Sequence, residues 1–118
     1  MKIQNPEDLT VFKKAHELTL KLYEITKNFP NSEKWDLTCQ MRRAASSIGA
    51  NLLEGSHRNN SKEYRQFVGI ANGSAGELKY HLLLGRDLKY IDVSQYEGLR
   101  FECDEICKML RGLIKALE

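Results

Sequence analysis

Long apolar runs are missing from this 118-residue chain. Stretches such as Leu82-Leu83-Leu84 fall far short of the ~20 residues needed to cross a bilayer, and Met1–Pro6 lacks the apolar core of a signal peptide. Neither membrane contact nor secretion is expected, and the chain reads as cytoplasmic. Cysteine is sparse: Cys39, Cys103 and Cys107 are an odd number without CxxC spacing, which suits free thiols in a reducing compartment better than a disulfide framework. Histidine is sparser in pattern than in number. His16, His57 and His81 stand singly on separate elements, with no HxxxH pairing, so no metal site is expected. No glycine-rich phosphate loop, GxSxG elbow or HExxH motif occurs. The expectation is therefore a protein without catalytic residues, cofactor or small-molecule substrate. A net charge of +2 is also too small to announce nucleic acid by itself, so any basic surface must come from clustering.

What remains is helix-forming. Only 2 prolines and 8 glycines accompany 42% hydrophobic and 29% charged residues, and strand formers are scattered. The length suits one domain, residues 1–118, able to bury a core without staples. Asn5 as cap, Pro6 in the first turn and the carboxylates of Glu7 and Asp8 predict a first helix over about 6–28, with Val11, Ala15, Leu18, Leu22, Ile25 and Phe29 as its apolar stripe. A second helix, about 34–56, carries Leu37, Met41, Ala44, Ile48 and Leu52. Its segment Ala44-Ala45-Ser46-Ser47-Ile48-Gly49-Ala50 is nearly all small, which lets a neighbouring backbone come close. The third, about 61–90, begins with an Asn60/Glu63 capping box and repeats Tyr64, Val68, Ala71, Ala75, Leu78 and Leu82. Gly69, Gly73 and Gly76 in its middle predict close contact with another helix to offset their cost. The fourth, about 94–117, is capped by Ser94 and Glu97 and lines up Tyr96, Leu99, Cys103, Ile106, Leu110, Leu113 and Leu117. Four stripes near a 3.5-residue period, joined by short connections, predict an all-α, antiparallel, up-down-up-down four-helix bundle.

Several residues fall outside this scheme. Phe12, Leu20, Tyr23, Phe101, Cys107 and Ile114 lie off the stripes, and an extra apolar arc on the first and last helices suits an interface with another copy of the chain. Arg42, Arg43, Arg58, Lys62 and Arg65 gather near the two ends of the second helix and the start of the third, where guanidinium groups and helix amides suit phosphate. Solvated faces or salt bridges account for the same cations, and both readings stay open. Asn51, Glu54, Asn72, Ser74 and Glu77 fall on the two helices that the small residues bring together, as a candidate buried polar network that would fix helix register.

Taken together, Asp8-Leu9-Thr10-Val11-Phe12-Lys13-Lys14-Ala15, Phe29-Pro30, Gln40-Met41-Arg42-Arg43-Ala44-Ala45-Ser46-Ser47-Ile48 through Ala50-Asn51 to Glu54-Gly55, and Ile70-Ala71-Asn72-Gly73-Ser74 with Glu77-Leu78 resemble a known family. It comprises the four-helix-bundle proteins encoded in intervening sequences of bacterial 23S ribosomal RNA genes, also called S23 ribosomal proteins. The chain departs from the family pattern at Phe12, where tryptophan is common, and at Gly49, where proline is common. The resemblance implies a ring-like homopentamer, and a likeness to the pentameric accessory protein of diversity-generating retroelements, which is thought to bind nucleic acid. It assigns no molecular function.

The leading expectation is a non-enzymatic homo-oligomer, a pentamer by the resemblance, binding RNA or DNA through the five clustered cations. The alternative is an oligomeric protein–protein scaffold that binds no nucleic acid and uses its arginines internally.

Overall fold

In the computed structural model, which describes residues 5–118, Asn5 caps a short turn rather than the first long helix. Its side chain accepts from the Glu7 amide at 3.1 Å and closes a single 3-10 turn, Pro6–Asp8. Leu9 then turns extended (φ −70°, ψ 135°), so α1 runs only over Thr10–Thr26. A second 3-10 turn, Asn31–Glu33, precedes α2, which starts at Leu37 and ends at Ser56. Both differences have one cause: a local cap or proline closes a tight turn before the apolar stripe can propagate a full helix.

α3 spans Ser61–Asp87, with the Asn60 side chain accepting from the Glu63 amide at 2.9 Å. It ends earlier than the periodicity predicts because Lys89 takes a positive φ of 65° and Tyr90 donates its amide back to the Gly85 carbonyl at 2.8 Å. α4, Val93–Ala116, is capped two residues upstream of the expected Ser94. Asp92 accepts from the Gln95 amide at 2.7 Å while Gln95 Oε1 accepts from the Asp92 amide at 3.0 Å, a complete capping box.

The described residues form four α-helices and no strands, packed as a helical bundle. α2 packs against α1 and α3, and α3 against α4. Every stripe residue expected on α2, α3 and α4 is buried, and Leu18, Leu22, Met41, Ile48, Leu52, Leu78, Leu82, Ile106 and Leu110 are fully so. Each contributes roughly 1.5–3 kcal/mol of burial free energy, which makes this core the main stabilising feature. No described helix is long and apolar enough to cross a membrane.

The off-stripe residues divide. Cys107 is buried in the core, and Phe12 and Ile114 are half-buried against it, so these three are packing residues of the protomer. Leu20, Tyr23 and Phe101 are 57%, 42% and 64% exposed. The Phe12 ring comes within 3.4 Å of where a side chain on Gly49 would begin, so the two positions that depart from the family pattern face one another. The α3 glycines correct an expectation. Gly69, Gly73 and Gly76 face outward, and a Cβ added at any of them would meet nothing within 4 Å among the described residues, whereas a close approach falls at Gly55, whose Cβ would stand 2.7 Å from Phe67 Cβ.

Candidate nucleic-acid interface

One flank of α2 is polar along its whole length. Gln40, Arg43, Ser47, Asn51 and Glu54, and then Arg58 just past the helix end, recur every three or four residues and share one side. That side faces α3. Ser47 and Ser74 hydroxyls meet at 2.8 Å, and the Arg58 guanidinium lies 4.6 Å from the centre of the Phe67 ring. The small residues that permit the close α2–α3 packing also leave a polar hollow of about 460 Å³, lined by Gln40, Arg43, Ala44, Ser47, Ser74 and Glu77.

The five expected phosphate contacts do not form one patch. Arg42 points to the opposite flank, where Nε donates to Thr26 Oγ1 at 2.8 Å, a terminal nitrogen donates to the Tyr23 carbonyl at 3.2 Å, and the guanidinium stacks 4.6 Å from the Tyr23 ring centre. It is committed to joining α1 and α2. Arg43 is exposed at the hollow and makes no ion pair among the described residues. Arg58 is exposed and paired with Glu54 at 3.2 Å, an i,i+4 contact worth only ~0.3–0.5 kcal/mol and easily opened. Lys62 is exposed in the first turn of α3, at the same end as Arg58. Arg65 precedes Lys79 by close to four whole turns, and Lys79 bridges to Asp104 of α4 at 2.8 Å, so Arg65 shares the α4 side and is half-buried.

The polar network is likewise split. Asn51 donates to the Ser47 carbonyl at 2.8 Å and to its hydroxyl at 2.9 Å, so Asn51, Ser47 and Ser74 form a relay. Glu54 and Glu77 are exposed rather than buried, because the polar flank borders the seam and not the core. Asn72 lies seven residues before Lys79, on the α4 side, with Oδ1 buried and without a partner among the described residues. Glu77 Oε2 stands 3.5 Å from Nε2 of His81, whose ring nitrogens are buried without hydrogen-bond partners among the described residues. Gln40, Ser47, Phe67 and His81 were absent from the expected site, although the spacing of Gln40, Arg43, Ser47 and Asn51 beside the apolar stripe is a readable polar stripe.

Away from the seam, a hydrogen bond from Lys79, and secondarily one from Arg100, holds the Asp104 carboxyl below its ordinary range. Burial pushes the Cys103 thiol up to about 12, which leaves it protonated and inert. The described residues contain no group of three or more His, Cys, Asp or Glu side chains that could hold a metal ion.

No curated protein matches the chain. A crystal structure of a protein of unknown function from the S23 ribosomal protein family of Bacteroides thetaiotaomicron is similar, with 28% identity and a TM-score of 0.80 over 90% of this chain and 99% of that one. Residues 7–112 match the family described as 23S rRNA-intervening sequence protein. With most of its length inside that match, the chain belongs to the 23S rRNA-intervening sequence protein family.

Proposed function

We propose that the chain is a non-enzymatic, cytoplasmic homo-oligomer that binds nucleic acid, RNA foremost, along the α2–α3 seam. The observation that carries this reading is the placement of Arg43 and Arg58 on one polar flank. At 1.5 Å per residue they stand roughly 20 Å apart, two phosphate stations on one line, with Lys62 beside the second. Arg43 makes no ion pair among the described residues, and the Glu54–Arg58 pair is exposed enough to exchange for a phosphate. Arg42 is removed from the binding set and Arg65 is peripheral to it.

The helices run up-down-up-down in this reading. Its support is that residue numbers rise along α2 as those of their α3 partners fall, from Ser47 with Ser74 to Arg58 with Phe67. Leu20 and Phe101 support self-association, since large apolar side chains this exposed are normally covered by a partner. Five copies is the number the family resemblance favours. The same two residues favour the scaffold alternative, in which the exposed arc receives a different protein.

Filter-binding titrations with structured RNA and duplex DNA over a range of salt test the reading. Binding that weakens steeply as salt rises is expected. Absence of binding at low salt contradicts it. Light scattering tests the assembly, and a monomer contradicts self-association.

A further inference from the structure

The α2–α3 hollow holds charges of both signs, which a surface that only tracks phosphates does not need. Its volume of about 460 Å³ lies within the range of small-ligand sites. Arg43 offers a planar cation and Gln40 an amide able to donate and accept. Glu77, on the same wall as Ser74, is an acceptor only. Its one ion-pair contact among the described residues is with His81 at 3.5 Å, a cation only when protonated.

The serine pair adds a donor. Asn51 donates into the Ser47 hydroxyl oxygen, and the Ser47 and Ser74 hydroxyls share one hydrogen across 2.8 Å. Two hydroxyls carry two hydrogens. Whichever serine donates to the other, one O–H is left without an acceptor among the described residues, polarised by the relay behind it. The hollow therefore presents a cation and a hydroxyl donor, and beside them a carboxylate that needs a donor from its guest.

We propose that the hollow seats one ribonucleotide unit of a bound RNA, its phosphate on Arg43 and the spare serine hydroxyl, its ribose 2′-hydroxyl donating to Glu77. This rests on the nucleic-acid reading above and adds the basis for choosing RNA over DNA. The 2′-hydroxyl is the group that distinguishes the two, and its hydrogen bond to a carboxylate is charge-assisted. A deoxyribose leaves Glu77 without that donor, so its charge then only repels the neighbouring phosphate.

The test is fluorescence anisotropy at low salt with a labelled single-stranded RNA and the DNA of the same sequence. Wild-type protein is compared with Glu77→Ala, Glu77→Gln and Arg43→Ala. Wild type is expected to favour RNA by about tenfold, the size of one hydrogen bond to a charged group. Glu77→Ala removes that preference by weakening RNA while DNA binding stays level or tightens. Glu77→Gln, which keeps an acceptor oxygen, retains part of the preference, and Arg43→Ala weakens both strands alike. Equal binding of both strands by wild type, or tightening of both by Glu77→Ala, overturns the ribose contact and leaves the phosphate reading standing. Failure of wild type to bind either strand overturns that reading and the ribose contact with it.

Discussion

Arg42 of α2 donates from Nε to the Thr26 hydroxyl of α1 at 2.8 Å, and Thr26 in turn donates to the Leu22 carbonyl at 2.6 Å. The arginine thus reads out a buried helix end, with its guanidinium also bonded to the Tyr23 carbonyl and stacked on the Tyr23 ring. Its neighbour Arg43 points about 100° away around the helix, toward α3. Adjacent arginines, identical in chemistry, are divided between holding the fold and facing the seam.

Replacing Arg42 should therefore cost stability and not nucleic-acid affinity. Arg42→Ala is expected to destabilise the protein by about 1–2 kcal/mol, since it removes charged hydrogen bonds to groups of which Thr26 is buried. Arg43→Ala should change stability by less than about 0.5 kcal/mol. Urea denaturation of the two variants separates the roles.

Glycines in the two central helices should respond in opposite directions. Gly55→Ala places a methyl 2.7 Å from Phe67 Cβ and 3.0 Å from the Tyr64 ring, and is expected to cost about 1–3 kcal/mol. Gly73→Ala meets open space on an outward helix face and should stabilise the protomer by up to about 1 kcal/mol. Thermal melts of both proteins check the contrast.

The start of α4 offers a matched pair. Asp92→Ala removes the cap and is expected to cost about 1 kcal/mol, whereas Ser94→Ala, inside the first turn, should be close to neutral. A larger loss for Ser94→Ala would place the cap where the sequence alone suggested.

Thiol reactivity should rank by burial. Cys39 is half-buried, Cys103 and Cys107 are buried, and Cys103 has its pKa pushed up to about 12. One thiol, Cys39, should react with Ellman's reagent in the native protein at pH 8, and all three should react after denaturation.

The stripes were legible because burial enforces them. Val68, Ala71, Ala75 and Leu78 can occupy only one side of a helix, and that side is the core. Helix ends were less legible, because Asn5, Asp92 and Ser94 are all competent caps and the choice among them depends on how neighbouring turns pack. The fate of the polar residues was least legible. Arg42 and Arg43 are indistinguishable by type, and only the positions of α1 and α3 around α2 decide which one is tied down. Glu54 and Glu77 share the small-residue helices with Asn51 and Ser74, but their few tens of degrees of rotation toward solvent set them outside the packed seam.

Nucleic-acid binding along the seam, as proposed, makes phosphate contacts of Arg43 and Arg58. Its most direct measurement is the salt dependence of single-stranded RNA binding by the Arg43→Ala/Arg58→Ala double variant, with Lys13→Ala/Lys108→Ala, two exposed lysines of α1 and α4, as the control. Loss of two phosphate contacts should lower the slope of log affinity against log salt by roughly 1.4, with weaker binding at every salt concentration, while the control keeps the wild-type slope. A double variant that binds with wild-type affinity and slope contradicts phosphate contact by these two arginines.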